Sequence, residues 1–267
     1  MEILIRPTPD EVAATAADIL SAHIRRGAVL GLATGSTPLA TYRELIDRHR
    51  RGELSFAGCR AFLLDEYIGL PPGHVQSYHH TIRNEFTSHI DIDDAAVHSP
   101  EGTDPRPWEA AERYERAITD AGGVDVQLLG IGTNGHIGFN EPATSLSSTT
   151  RMETLHPQTV ADNARFFDSE DEVPTHALTQ GLGTILRSRH AVLLATGVGK
   201  AEAVKKLAEG PLTAAVPASS LQLHPRATVI VDEEAGALLS EKDYYRYIEA
   251  HRPSWQGHDG LPVDDAQ

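Results

Sequence analysis

Residues 28–50 read AVLGLATGSTPLATYRELIDRHR, and this one unit constrains the fold more than any other stretch. Its first seven residues are apolar on both faces, as expected of a strand inside a parallel sheet covered by helices. The turn Gly35-Ser36-Thr37-Pro38 follows. Leu39, Tyr42, Leu45 and Ile46 then recur at helical spacing until Gly52 stops the pattern. The unit recurs along the chain. Residues 60–64 form a strand ending at Asp65-Glu66, and after the loop YIGLPPGH, Ser77 is placed to cap a helix with Tyr78, Ile82 and Phe86 on one face. A helix over 107–119 precedes a strand over 124–129. A strand over 190–195 runs into Thr196-Gly197-Val198-Gly199-Lys200 and a further helix. Ahead of these, residues 2–6 read as a strand and Thr8-Pro9-Asp10-Glu11 as a capping box with proline at the first helical position. A strand over 226–231 and a helix over 241–250 close the pattern, with a frayed tail after Pro253. Alternation of this kind predicts an α/β fold of three layers with a mainly parallel sheet. No repeat, linker or composition break divides it, so residues 1–267 are expected to form a single domain.

Two segments fit the pattern poorly. Residues 175–186 have helical spacing weakened by Gly181 and Gly183. Residues 159–174 are polar and irregular, and a mobile lid is expected within 151–180.

The formal net charge of −15 disfavours nucleic acid, since Lys and Arg form no dense patch, while leaving room for a small anion in a local pocket of cations and backbone amides. No apolar run approaches the roughly 20 residues of a membrane span. The N-terminal MEILIRPTPDE turns polar within ten residues, and a cytoplasmic location is expected. Cys59 is the sole cysteine and reads as packing, and no His/Cys cluster has metal-ligand spacing, so neither disulfide nor metal is expected.

In sheets of this kind ligands sit beyond the carboxyl ends of the strands, near a topological switch. That rule collects residues 34–38, Asp65-Glu66, 132–141 and 196–200 at one rim. The most chemical of these stretches is LLGIGTNGHIGFNEP, residues 128–142, where an apolar strand gives way to four glycines interrupting Asn134, His136 and Glu141. Glycines there permit positive φ and close approach. His136, between a neutral amide and a carboxylate, is either a proton carrier or the satisfied histidine of a tight turn. Gly130 to Gly135 formally match a dinucleotide fingerprint. Gly138, Pro142 and the hydroxyl-rich run that follows oppose the helix that fingerprint needs. Lys200 lacks the residues of a phosphate-binding P-loop around it. The turn Gly35-Ser36-Thr37 is a candidate anion site at a helix start, although capping alone would also explain its hydroxyls. Arg165, in NARFFD, is either swung in by a mobile segment or an ordinary surface arginine.

Taken together, LATGSTP, LDEYIGLP, SYHH, GIGTNGHIGFNEP, NARFFD, TGVGKA and PASSLQLHP, in this order from about residue 28 to residue 232, closely resemble the glucosamine-6-phosphate deaminase (isomerising) family. The resemblance implies a Rossmann-like fold, no cofactor, and an aminosugar phosphate substrate converted to fructose 6-phosphate and ammonia. It assigns ring opening to His136, oriented by Glu141 and Asn134, and the proton shift between carbons 2 and 1 to Asp65. Gly35, Ser36, Thr37, Arg165 and Lys200 would hold the phosphate. Some family members carry Asp where this chain has Asn134. Allosterically activated members resemble it at Arg151 but have Lys at the position of Glu153, so no activation by N-acetylglucosamine 6-phosphate is expected. A homo-oligomer is possible, since hexamers and monomers both occur in the family. Rival readings are a 6-phosphogluconolactonase-like hydrolase and a non-catalytic sugar-phosphate effector domain. The latter would carry a helix-turn-helix that the first 27 residues lack.

Overall fold

The computed structural model describes residues 1–71 and 73–253; the tail expected to fray lies outside the described residues. In chain order the elements are β1 (Glu2–Arg6), α1 (Pro9–Ile24), β2 (Val29–Leu32), α2 (Ser36–Arg50), β3 (Arg60–Leu63), β4 (Asp65–Tyr67), α3 (Tyr78–Glu85), β5 (Val97–His98), α4 (Pro107–Asp120), β6 (Val126–Leu129), β7 (Arg151–Thr154), α5 (Pro157–Asn163), β8 (His176–Thr179), α6 (Leu182–Leu186), β9 (Ala191–Ala195), α7 (Ala201–Glu209), β10 (Ala227–Asp232) and α8 (Lys242–Ala250). Short 3-10 turns link several of them.

Seven strands pair in the order β1-β10-β9-β6-β2-β3-β5, every pair parallel. Strand residues alternate between two cores. Leu30, Leu32, Val126, Leu128, Val192 and Leu194 pack under α1 and α2, while Leu129, Leu193, Val229 and Val231 pack with α6 and α7. The three-layer α/β expectation therefore holds. From β2 the chain steps outward through β3 to β5, and from β6 it steps the other way through β9 to β10. The order reverses between β2 and β6, so the loops leaving these two strands diverge and open a crevice.

Three features depart from the sequence reading. Asp65 does not end a parallel strand: it begins β4, which pairs antiparallel with β8 in a second sheet ordered β4-β8-β7. The helical spacing over 175–186 resolves into β8 and the five-residue α6. Its glycines serve close approach rather than helix, since a Cβ on Gly181 would lie 2.2 Å from the Ser148 carbonyl oxygen and one on Gly183 2.8 Å from that of Ser147. Finally, the irregular stretch after Thr154 contains α5. Cys59 is buried as expected, its thiol pushed up to about 11 by burial. Among the described residues no helix is long and apolar enough to cross a membrane.

At the opposite end of the sheet from the crevice, His190 Nδ1 lies 3.2 Å from His23 Nε2 and its Nε2 lies 2.9 Å from the Thr228 hydroxyl. Burial first, and then the neighbouring charges of Arg226, His23 and His224, push His190 down to about 3. The folded value lies below the unfolded one of roughly 6.5, so on acidification the unfolded chain takes a proton that the folded chain refuses, at about 1.4 kcal/mol per pH unit below 6.5. Burial depresses His224 in the same sense. Between pH 7.5 and 5.5 His190 is therefore expected to remove about 1 kcal/mol or more of stability, read as the difference in pH dependence between wild type and His190→Asn in urea denaturation; the same pH dependence in both proteins would contradict this.

Candidate active site

A cavity of about 330 Å³ lies over the β2/β6 crevice, at the small end of the roughly 300–1,000 Å³ range of small-molecule sites. It is lined from four sides: residues 33–39 after β2, Asp65 and Tyr67 of β4, residues 130–133 with His136 after β6, and α5 with Arg165 and Lys200. Of the proposed groups, Asp65, His136, Gly35, Ser36, Thr37, Arg165 and Lys200 all line it. Asn134 and Glu141 stand behind His136.

The loop after β6 builds the imidazole site through its glycines. Only Gly135 and Gly138 have positive φ, at 86° and 57°; Gly132 has another purpose. A Cβ there would lie 2.2 Å from His136 Cε1 and 2.4 Å from Nδ1, because the ring packs directly on the Gly132 backbone. Gly132→Ala is accordingly expected to displace the imidazole and lower turnover by about ten-fold or more, with the fold retained. Wild-type turnover in that variant would contradict the packing role. No helix starts at Gly135, so the dinucleotide fingerprint fails in the structure as well.

Behind the ring, hydrogen bonding fixes the tautomer. The Glu141 carboxylate only accepts, so the Asn134 amide must present Nδ2 to it, at 3.0 Å. Asn134 Oδ1 then faces His136 Nδ1 at 2.7 Å and the His136 backbone N–H at 3.1 Å. Nδ1 must therefore be the donor, which leaves Nε2 with the lone pair. Burial lowers the imidazole's pKa, partly offset by Glu141 and reinforced by Lys200, so the ring is neutral and able to take a proton near pH 7.

Asp65 and Glu66 are both buried yet serve opposite purposes, because successive side chains of a strand point to opposite faces. The Glu66 carboxylate accepts from Ser77 Oγ at 2.8 Å and from the backbone N–H groups of Tyr67, Tyr78 and His79, each at 2.9 Å. It thereby satisfies the start of α3. Asp65 instead faces the cavity, with its pKa raised well above the usual carboxylate range by burial and by the neighbouring Glu66 charge. A carboxylate tuned upward in this way is a stronger base when ionised.

At the far side, Gly35 (φ 111°) begins α2 and Thr37 Oγ1 lies 3.4 Å from Thr196 Oγ1, so the turns after β2 and β9 meet. The second of these turns is held from below: Asp232, at the end of β10, accepts from Gly197 N at 3.0 Å and Ala235 N at 2.7 Å. Lys200 projects from it, with its pKa lowered by burial, an effect opposed by Asp162 and reinforced by Arg165. Backbone N–H groups at a helix start, two hydroxyls and two cations suit a phosphate. Arg165 is exposed, its guanidinium 4.7 Å from the centre of the Phe166 ring.

Sequence reasoning missed Tyr67, Tyr78, Thr159, Asp162 and Asn163. Tyr67 was reachable, since it lies two residues from Asp65 and so on the same strand face. Thr159, Asp162 and Asn163 share one face of α5 at i, i+3 and i+4, a polar stripe visible once a helix is assigned there.

A cavity at the switch point of a parallel α/β sheet, with a neutral imidazole and a high-pKa carboxylate at one side and an anion cradle at the other, defines a site for acid–base chemistry on a small anionic molecule. The sequence model described as glucosamine-6-phosphate isomerases/6-phosphogluconolactonase matches residues 2–230, and the chain belongs to that family. It is 65% identical over 94% of its length to a glucosamine-6-phosphate deaminase of Corynebacterium aurimucosum, covering 99% of that protein. It is 60% identical over 96% of its length to the same enzyme of Rhodococcus jostii, again covering 99%. Among solved structures, one described as a monomeric glucosamine-6-phosphate deaminase superposes with a TM-score of 0.88 at 45% identity, covering 89% of this chain and all of that one. The 6-phosphogluconolactonase of Trypanosoma cruzi, with a TM-score of 0.74, 20% identity and coverage of 90% of this chain and 97% of that one, shares the fold.

Proposed function

We propose that this chain converts glucosamine 6-phosphate and water to fructose 6-phosphate and ammonia, within one α/β domain whose α5 region serves as a lid. The observation that carries this reading is the hydrogen-bonded series His136–Asn134–Glu141 facing the same cavity as Asp65. An ester hydrolase has no need of a second, high-pKa carboxylate across from its imidazole. An aldose–ketose isomerase needs both.

The sugar lies mostly as a closed ring, so the first task is to open it. His136 Nε2 takes the proton of the anomeric hydroxyl and returns one to the ring oxygen as the C1–O5 bond breaks, while Glu141 stabilises the transient imidazolium through Asn134. Asp65 then removes the proton from carbon 2 of the open-chain aldehyde while oxygen 1 takes the proton that the amino group gives up, and Asp65 delivers its proton to carbon 1 of the resulting enolamine. A ketimine is left at carbon 2. Water adds there and ammonia leaves, giving the ketone. Throughout, the phosphate rests at the α2 start with Lys200 and Arg165, and its binding energy keeps carbons 1 and 2 against Asp65. Every group given a role belongs to one chain, so the reading needs no second copy. Supporting it, a solved relative is described as monomeric.

The test is ammonia release from glucosamine 6-phosphate beside hydrolysis of 6-phosphogluconolactone. Ammonia and fructose 6-phosphate in equal amounts are expected, with no lactone hydrolysis above background; the reverse pattern, or tight sugar-phosphate binding without turnover, would overturn the reading. A further prediction concerns Arg151. Its guanidinium is engaged by Glu153, by Asn140 Oδ1 at 3.0 Å and by Thr144 Oγ1 at 3.1 Å, and Glu153 would repel a phosphorylated effector. N-acetylglucosamine 6-phosphate is expected to leave the kinetics unchanged. Sigmoidal curves that it renders hyperbolic would contradict this.

A further inference from the structure

The two oxygens of Glu141 are divided between two elements. Oε2 accepts from Asn134 Nδ2 at 3.0 Å and lies 3.6 Å from His136 Nδ1. Oε1 belongs to the start of α5: it accepts from Thr159 Oγ1 at 2.5 Å and from the His156 backbone N–H at 3.2 Å. Glu141 therefore joins the imidazole to α5, which lines the cavity.

Thr159 is not an ordinary helical threonine. A hydroxyl within a helix most often bonds a carbonyl of its own preceding turn, whereas this one reaches a carboxylate 18 residues earlier in the chain. It is the buried residue of α5, while its neighbours Gln158, Ala161 and Asp162 are exposed. The helix is fastened to the site at both ends. At its other end Asn163 Nδ2 donates to the Tyr67 hydroxyl at 2.9 Å. Between these ends Val160 packs against the cluster of Tyr67, Phe139 and Leu155, so the polar contacts of Thr159 and Asn163 fix how the helix sits over the site. If α5 lifts, Glu141 loses two of its three donors together.

We propose that Thr159 is a positioning residue that transmits the seating of α5, through Glu141, to the His136 imidazole. With α5 down, the hydroxyl holds one carboxylate oxygen and draws off part of its charge, so the other oxygen keeps Asn134, and through it the imidazole, in one orientation. With α5 up, the carboxylate is free to turn and its charge falls wholly on the relay. Ring opening is thereby confined to the covered state, in which water is excluded from the cavity. This inference rests on the proposed reaction for its kinetic consequences, while the geometry it invokes is that of the unliganded protein.

The charges facing His136 are Glu141 on its own loop, Lys200 on the turn after β9, and His156 and Asp162 at the two ends of α5. Thr159→Val removes the hydroxyl, nearly preserves shape and alters none of these. Glu141 keeps its Asn134 and His156 donors, and its less compensated charge favours the imidazolium.

The experiment compares wild type, Thr159→Val and Thr159→Ser. The His136 imidazole is titrated by NMR in the unliganded protein, its signal assigned by its loss in His136→Gln, and kcat and KM for ammonia release are measured alongside. In Thr159→Val the imidazole pKa is expected to rise by about half a unit or more. Its kcat is expected to fall about 10-fold or more, since a hydrogen bond to a charged group contributes on the order of 1.5–3 kcal/mol, with KM changed by less than about three-fold. Thr159→Ser should restore both. An unmoved imidazole pKa with unchanged kcat in Thr159→Val, or failure of serine to restore either, would overturn the inference. Absence of ammonia release by the wild type would instead overturn the proposed reaction, and the NMR titration would still decide the role of Thr159.

Discussion

Asp65→Asn is expected to lower turnover of glucosamine 6-phosphate by about 10²–10⁴-fold, the usual contribution of a positioned general base. Asparagine occupies the same space but takes no proton from carbon 2, so the loss should persist when the substrate is supplied as a ring-opened analogue. Stability should move the other way. Burial raises the Asp65 pKa above its unfolded value, so the folded chain holds that proton more tightly. The stability this confers is fully present below the unfolded carboxyl's pKa and is lost as pH rises through the folded one, so above that range a buried carboxyl here opposes folding. The neutral amide removes that opposition. Thermal unfolding at pH 7 is expected at an equal or higher midpoint than wild type, beside nearly abolished catalysis. Turnover within a factor of a few of wild type would show that another group moves the proton.

His136→Ala should fail at a different step. Without the imidazole the ring must open unaided, and turnover of the cyclic substrate is expected to fall by about 10²-fold or more. An open-chain analogue bypasses that step. Exchange of its carbon-2 proton with solvent, catalysed by Asp65, is expected to remain within about ten-fold of wild type. Equal losses with cyclic and open-chain compounds would place His136 in the isomerisation instead. With these outcomes the two substitutions would divide the reaction between two sides of one cavity.

The parts of the site carried by contiguous turns were legible in the chain. LATGSTP and GIGTNGHIGFNEP each hold a strand, its terminating glycine and the polar residues beyond it, and a parallel sheet must bring such turns to one rim. Asp65 and Glu66 show where legibility ended. Side by side and both carboxylic acids, they are told apart only by which strand face meets the cavity, and that is set by the pairing of β4 with β8. β8 itself was obscured because Gly181 and Gly183 follow a strand of four residues and look like flaws in a helix. Thr159 bonds a residue 18 positions away, and Asn163 meets Tyr67 across 96. Such polar contacts have no period for a pattern to reveal.

One hexose phosphate is expected to span the cavity, its reacting carbons at Asp65 and its phosphate at the start of α2. A crystal structure with 2-amino-2-deoxyglucitol 6-phosphate, the reduced open-chain form of the substrate, tests this most directly. The phosphate is expected on the backbone of residues 35–37 with Lys200 and Arg165, carbons 1 and 2 against the Asp65 carboxylate, and the carbon-5 hydroxyl within reach of His136 Nε2. A phosphate bound elsewhere, or carbons 1 and 2 out of contact with Asp65, would contradict it.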